Sequence, residues 1–400
     1  MTIVSHRMSR IQPSPTLAVT ARAAELKAQG HDVIGLGAGE PDFDTPEHIK
    51  DAALKAVQQG KTKYTTVEGI LPLREAIVEK FRRENHIDYA LDQIIVGSGA
   101  KHVIFNAFLA SLNPGDEVII PAPYWVSYPD MVTLAEGIPV FIRCRNENHL
   151  KVTPEDLGET ITPRTKWLIL NSPNNPTGMV YTKVELEAIA EVLRRAPHVY
   201  VLSDDIYEHL VYNDLSFTTL AQVAPDLKDR VLTVNGVSKA YAMTGWRIGY
   251  GAGPTPLIEA MTILQSQSTT NATSISQWAS VEALEGTQSF IEERNKIFRE
   301  RRDQAYTILN DTPGLSCLKP QGAFYLYPSC AGLMGKFTPI GSQITSDAHL
   351  ATYLLESAGV AVVPGVAFGL SPYFRISYAL DTHVLVEACH RISQALRLVK

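Results

Sequence analysis

Residues 235–250 read Asn-Gly-Val-Ser-Lys-Ala-Tyr-Ala-Met-Thr-Gly-Trp-Arg-Ile-Gly-Tyr, and their one lysine, Lys239, stands just past a strand pattern in a run of small and apolar residues. A lysine in such surroundings is partly desolvated, which lowers its pKa and makes its amine a nucleophile toward an aldehyde. Arg247, further along the same stretch, can hold an anion nearby. A Ser-Lys dipeptide alone is equally an ordinary surface loop, so the flanking segments decide. Strand patterns precede and follow it, at Val231–Asn235 and Gly249–Gly253, and five more lie upstream: Ile94–Gly97, Glu117–Pro121, Pro139–Ile142, Trp167–Asn171 and Tyr200–Ser203. Helical stretches such as Lys101–Ser111, Ser127–Glu136 and Lys183–Arg194 alternate with them. This alternation predicts an α/β fold with a mostly parallel central sheet covered on both faces.

Toward the N-terminus, Leu17 to Gln29 has amphipathic helical spacing closed by Gly30, and Val33–Leu36 reads as a short strand. Toward the C-terminus, Ser289–Leu309 is a charged helical pattern whose apolar positions include Ile291, Ile297, Tyr306 and Ile308; it reads as a connector between lobes. Hairpin-like strands around Gly322–Tyr327 and Phe374–Tyr378, with helices near Ala348–Ser357 and Thr382–Leu396, predict a smaller α+β lobe. The expected division is 1–45 as an N-terminal arm and part of the small domain, 46–300 as the large domain, and 301–400 as the small C-terminal domain. A chain of 400 residues suits one large or two coupled domains.

Composition narrows the partners. With 45% hydrophobic and 20% charged residues the chain is an ordered globular protein. A net charge of −6 without a dense Lys/Arg run argues against nucleic acid. Cys144, Cys317, Cys330 and Cys389 form no CxxC pair and read as reduced, mostly buried thiols, with no metal site expected. The N-terminal residues lack a signal-peptide pattern and no apolar run has membrane-spanning length, so a cytoplasmic protein is expected.

Two further segments carry chemistry. Asn171-Ser-Pro-Asn-Asn-Pro-Thr-Gly178 follows a buried strand and fixes polar side chains at its carboxyl end, where open α/β sheets bind ligands. Val201-Leu-Ser-Asp-Asp-Ile-Tyr207 puts acids at a second such end, where a carboxylate beside an aromatic nitrogen favours that nitrogen's protonated form.

With these in place, the sequence resembles the class I aminotransferase family of fold type I pyridoxal-phosphate enzymes, and is most like the bacterial aspartate aminotransferases. The likeness runs from about Ser14 to the C-terminus. It rests on LGAGEPDFDTP (36–46), KYTTVEGILPLREAI (63–77), PYWVSYP (123–129), NSPNNPTG (171–178), SDDIYEHL (203–210), the 235–250 block and FRISYAL (374–380). The resemblance implies pyridoxal 5'-phosphate as cofactor, bound to Lys239 as a Schiff base. Lys239 is then the base and acid that shuttles the proton. Asp204, from the family's Asp-x-x-Tyr pattern, pairs with the ring nitrogen, and Tyr207 and Asn175 bond the ring hydroxyl oxygen. Trp125 lies against the ring. Gly99, Ala100 and Lys101 open the helix that takes the phosphate, with Arg247, Ser238 and, from a partner subunit, Tyr64. Tyr64 in that role implies a homodimer with shared sites.

The resemblance also places the substrate. Arg375 grips the α-carboxylate as a planar fork, and the backbone of Gly39 lines the same end. One branch of the family takes the distal carboxylate on an arginine of the neighbouring subunit, but Thr262 to Gln288 contains no Arg or Lys. The other branch uses a lysine and a hydroxyl that map to Lys101 and Thr16. L-aspartate and L-glutamate, with oxaloacetate and 2-oxoglutarate, are therefore the expected amino acids and 2-oxo acids, in a ping-pong transamination. Amination of prephenate is a secondary expectation where a basic residue shortly precedes the Thr16 position; that neighbourhood reads Arg10-Ile11-Gln12. Ala100, where relatives commonly have Gly, is a departure that places a methyl group at the phosphate turn.

Three rivals compete. Gly35-Leu-Gly-Ala-Gly39 is a weak dinucleotide fingerprint for an NAD-dependent oxidoreductase, and the Pro-containing run after it cannot continue directly into a helix. A DNA-binding regulator on the same domain needs an added basic helix-turn-helix. A carbon–sulfur lyase or cyclopropane-forming synthase of the same fold shares Lys239 and Asp204; the paired cations Arg375 and Lys101 favour a dicarboxylate transaminase.

Overall fold

The computed structural model describes residues 3–11, 13, 15–212 and 215–400. A helix, Pro15–Ala28, leads into a two-residue strand, β1 (Ile34–Gly35). Seven strands then build the central sheet: β2 (Ile94–Gly97), β3 (Glu117–Ala122), β4 (Ile138–Arg143), β5 (Thr165–Asn171), β6 (Tyr200–Asp204), β7 (Val231–Gly236) and β8 (Gly249–Ala252). The last third adds β9 (Tyr325–Leu326), β10 (Val360–Ala361), β11 (Val363–Pro364) and β12 (Phe374–Ser377).

The central sheet has the order β2-β8-β7-β6-β5-β3-β4. Neighbours from β7 to β4 pair parallel, whereas β8 runs antiparallel to both β2 and β7. Strands covered on both faces read as continuous apolar runs, and all four residues of β2 and all six of β7 are buried. Ile49, Leu73, Ile77, Leu186, Ile189 and Ala279 pack one face, from helices Glu47–Gln58, Leu71–Asn85, Lys183–Arg195 and Ser274–Glu285. Val103, Phe108, Met131 and Met261 pack the other, from helices Ala100–Ser111, Tyr128–Leu134 and Thr255–Ser266. The expected mostly parallel, doubly covered sheet is present.

Strand direction decides where polar residues gather. The carboxyl ends of β5 and β6 carry register partners Asn171 and Asp204, and β7 ends only three positions before Lys239. Because β8 runs backward, its first residue Gly249 faces both Gly236 of β7 and Gly97 of β2. The loop 237–248 and the turn 97–100 therefore meet at the same sheet edge as Asp204, the edge at which open α/β sheets bind ligands.

A second apolar cluster gathers the C-terminal third, with Phe298, Leu326, Leu350, Ile376 and Leu385 at its centre. Ile34 and Leu36 belong to it, since β1 pairs parallel with β10, Ile34 against Val360. The strands expected as a hairpin do pair antiparallel, Tyr325 against Ser377 and Leu326 against Ile376, but helix Asp347–Ala358 intervenes in the chain, so they meet by tertiary packing. The helix expected over Ser289–Leu309 spans Ser289–Asn310, and its buried face differs from the expected one: Phe298, Arg301, Arg302, Ala305 and Leu309 are buried, while Ile291, Ile297, Tyr306 and Ile308 are only partly so. Arg301 is tolerated inside because both guanidinium nitrogens donate to Asp42, at 2.8 and 2.9 Å. All four cysteines are free thiols, and Cys317 alone is only partly buried. Among the described residues no helix is long and apolar enough to cross a membrane.

Gly249 is where β8 passes under the turn at the head of helix Ala100–Ser111; a Cβ there would overlap the backbone of Gly99 and Ala100. Gly249→Ala is expected to cost about 1–3 kcal/mol of stability through overpacking and to weaken cofactor binding by displacing that turn. A thermal melt and a cofactor titration check this; an unchanged melt and unchanged affinity contradict it.

Candidate active site

Four cations line one cleft of about 470 Å³: Lys101, Lys239, Arg247 and Arg375. Its walls carry two carboxylates, Asp204 and Glu40, so the cleft is an anion-binding site by charge alone.

Asp204, at the buried end of β6, accepts a 2.6 Å hydrogen bond from the Tyr128 hydroxyl on Oδ2 and a longer one from the Ile206 N–H on Oδ1. Burial raises its pKa to about 6; these bonds and the charge of Lys239 act against that rise. Asn171 fixes the strand end from the side, donating to the Asp204 carbonyl and accepting from the Asn175 N–H. Asp205, the adjacent acid, points to the other face of the sheet, where Ser203 donates to it. The choice of Asp204 over Asp205 for the cleft is thus the choice the strand pleat makes.

Lys239 reaches across from the loop after β7, and its Nζ donates to the Gly39 carbonyl at 2.6 Å. Desolvation lowers its pKa to about 8, with the positive charges of Arg375 and Arg247 adding to the effect and Glu40 and Asp204 opposing it.

At the head of helix Ala100–Ser111, Gly99 adopts φ +89°, and Arg247 fills the space its side chain would take. The N–H groups of Ala100 and Lys101 have no acceptor among the described residues, so the first turn offers free donors at the positive end of a helix dipole. Arg247 itself sits at φ +58°, held by Thr244 and Ser98 carbonyls. Lys101 lies 4.9 Å above the Trp125 ring, and its pKa is lowered by desolvation and by Arg247.

Arg375, on β12, is 2% exposed. Its Nη1 donates to Asn175 Oδ1 at 2.8 Å and its Nη2 to the Gly37 carbonyl at 2.7 Å, while its buried Nε has no hydrogen-bond partner among the described residues. The guanidinium lies between the Tyr325 and Phe368 rings, 4.5 and 5.0 Å from their centroids.

Of the residues singled out from sequence, Thr16, Gly39, Ala100, Lys101, Trp125, Asn175, Asp204, Tyr207, Ser238, Lys239, Arg247 and Arg375 all line this cleft. Gly99 adjoins it through Arg247. Tyr64 does not join them: its side chain is 89% exposed. Arg10 ends the short turn His6–Arg10 and is absent from the cleft wall, while Gln12 and Ser14 lie outside the described residues. Sequence reasoning missed Asn171, Tyr128 and Tyr325 as individual participants. Tyr128 was visible only as a letter of the 123–129 block, and Tyr325 read as a strand residue.

The Aminotransferase class I and II model matches residues 31–392, and the chain belongs to that family. An aspartate/prephenate aminotransferase of Cereibacter sphaeroides is 58% identical over 392 residues, 98% of each chain. The crystal structure of the aspartate aminotransferase from Rhizobium meliloti is similar with a TM-score of 0.98 at 54% identity, covering 100% of both chains. That of Thermus thermophilus aspartate aminotransferase with maleate gives 0.92 at 46%, covering 99% of this chain and 100% of that one.

Pyridoxal 5'-phosphate is the cofactor of this family, and the donor set fits it. A desolvated amine, a buried carboxylate, a helix head with free N–H groups and an adjoining arginine match an aldehyde, a ring nitrogen and a phosphate.

Capture of the aldehyde needs Lys239 uncharged. The cofactor-free protein should therefore take up pyridoxal phosphate faster as pH rises, with a midpoint near 8 set by Lys239; a midpoint near the 10.5 of an ordinary lysine contradicts this. Since the unfolded chain binds more protons than the native one between those two values, Lys239 also makes cofactor-free stability rise with pH across that window.

Proposed function

We propose that this protein transfers the amino group of L-aspartate to 2-oxoglutarate, giving oxaloacetate and L-glutamate by a ping-pong mechanism. One observation carries it: Arg375 and Lys101, on separate elements of the same cleft as Lys239, have no carboxylate partner within ion-pair distance among the described residues. Two unpaired cations flanking a nucleophilic amine suit a substrate with two carboxylates. The maleate named with the Thermus thermophilus relative is likewise a dicarboxylate.

Pyridoxal phosphate, when bound, supplies the aldehyde that receives the amino group and the ring that takes up the electron pair left when the substrate's Cα–H bond breaks. Lys239 is the residue that would hold its aldehyde; Asp204 would hold the ring nitrogen's proton, Tyr207 and Asn175 the ring oxygen, and Trp125 the ring face. The N–H groups of Ala100 and Lys101, with Arg247 and Ser238, would hold the phosphate. Once the substrate amine has replaced it at the aldehyde carbon, the freed Lys239 Nζ would take the proton from the substrate α-carbon, and its pKa of about 8 makes it a base near neutral pH. Arg375 orients the α-carboxylate through its planar fork, whose free Nε and remaining N–H groups are available to it. Lys101 and Thr16 take the distal carboxylate.

The same reading makes residues 46–300 the cofactor lobe and residues 301–400 with 1–45 the smaller one, supported by the β1–β10 pairing; residue 300 falls inside the helix that links them. It assigns Tyr64 to the cleft of a second copy, consistent with its exposure, and makes the working unit a cytoplasmic homodimer. Prephenate as an additional amino acceptor is a second reading, favoured by relatives such as the Cereibacter sphaeroides enzyme whose name includes it.

The visible band of the bound cofactor should fall when L-aspartate is added and return with 2-oxoglutarate; a band unmoved by aspartate contradicts the substrate. Lys239→Ala should still bind the cofactor noncovalently and lose transamination, checked by single-turnover absorbance. Lys101→Ser should raise KM for aspartate roughly tenfold or more, the loss of one charge-assisted hydrogen bond, and leave an aromatic amino acid nearly unaffected. Equal effects on the two substrates would return Lys101 to the role of a surface residue.

A further inference from the structure

Tyr325 touches both halves of this machinery. It is fully buried, and β9 pairs it with Ser377, two residues beyond Arg375 on the same face of β12. That register lays its ring on the Arg375 guanidinium, 4.5 Å from centroid to carbon. Its hydroxyl meets the Tyr207 hydroxyl at 2.8 Å, with the two rings edge to face. On the other side the Tyr325 oxygen faces Gly39, whose lack of a side chain leaves room for it: an added Cβ would come within 3.2 Å.

The direction of the Tyr207–Tyr325 hydrogen bond follows from the proposed function: a Tyr207 that donates its one proton to the cofactor's ring oxygen is left to accept from Tyr325. Between them two hydroxyls have two protons, and one proton must find an acceptor outside the pair. Each of the two oxygens is the other's only side-chain hydrogen-bond partner among the described residues. We infer that Tyr325 is a positioning residue that donates to the Tyr207 oxygen, so that Tyr207 turns its own O–H into the cleft, while the Tyr325 ring holds Arg375 flat for the carboxylate. This inference rests on the reading in which Arg375 takes the α-carboxylate and Tyr207 faces the cofactor oxygen. A phenol that accepts one hydrogen bond donates a stronger one, because bonds in a chain polarise each other. Cation–π contact with a desolvated guanidinium stabilises its charge against the burial that opposes it. One side chain therefore sets both the strength of the Tyr207 donor and the plane of the Arg375 fork.

The two functions separate by substitution. Tyr325→Phe keeps the ring and removes the hydroxyl; Tyr325→Leu removes both. In the cofactor-loaded protein without substrate, the pH midpoint of the visible absorbance change should move upward in Tyr325→Phe by roughly half to one unit, the worth of one hydrogen bond. The cause is that Tyr207 becomes a weaker donor to a negatively charged oxygen. Its kcat should fall about three- to tenfold, with KM for L-aspartate within about twofold of wild type. Tyr325→Leu should show the same spectral shift and, in addition, a KM raised about five- to thirtyfold from loss of the cation–π contact. A Tyr325→Phe protein with the wild-type midpoint overturns the hydrogen-bond role, and a KM raised as much in Tyr325→Phe as in Tyr325→Leu overturns the separate role of the ring. Should Tyr325→Leu fail to fold, Tyr325→Phe decides through its midpoint. A wild-type protein that does not respond to aspartate counts against the proposed substrate, and the substrate-free midpoint still reads the role of Tyr325.

Discussion

The reversed strand β8 is the constraint on which the site depends. A purely parallel sheet would carry the chain after β7 away through a crossover helix; an antiparallel β8 instead returns it within twelve residues, from Gly236 to Gly249. The short loop so formed holds Lys239 and Arg247 over the carboxyl ends of β5 and β6. The same strand pairs with β2, drawing the turn 97–100 and the head of helix Ala100–Ser111 to that edge. Glycine lets these elements crowd there: a Cβ at Gly249 would overlap the Gly99–Ala100 backbone, one at Gly99 the Arg247 guanidinium, and one at Gly97 the Val103 side chain.

Burial at that edge sets the electrostatics. Burial pushes Asp204 up and Lys239 down, which brings an acid and a base of ordinarily distant pKa to about 6 and about 8. Groups shifted toward each other in this way suit proton transfer near neutral pH. The C-terminal third completes the cleft from the far side: Arg375 is anchored by Asn175, beyond the end of β5, and by the Gly37 carbonyl of the N-terminal segment. The cleft is thus held by contacts 200 and 338 residues apart in the chain, and no single segment would form it alone.

Much of this was legible in sequence because the chemistry is compressed into short motifs. Lys239, Asp204, Asn175 and Arg375 stand in blocks whose order and residue types have few alternative uses, and the sheet strands fell close to their expected bounds because buried strands are short continuous apolar runs. What stayed hidden was tertiary. Tyr128 and Tyr325 look like core aromatics until the fold sets their hydroxyls against Asp204 and Tyr207. The burial of Arg301 and Arg302 in the helix Ser289–Asn310 was hidden because arginines count as solvent-facing in any periodicity; Asp42, from the far end of the chain, and Thr382 receive Arg301, while Asp303 and the Pro320 carbonyl receive Arg302. The pairing of β9 with β12 was tertiary as well: the helix expected near Ala348–Ser357 lies between them in the chain, and alternation alone does not say which strands pair.

The central claim is that Lys239, lowered by burial and set at this edge, is the amine that carries the cofactor. Borohydride reduction of the cofactor-loaded protein, followed by proteolysis and mass analysis, tests it most directly. The account predicts one pyridoxyl-modified peptide, containing Lys239 and no other altered lysine. Modification at Lys101 instead, or a protein that binds the cofactor yet yields no modified peptide, would contradict it.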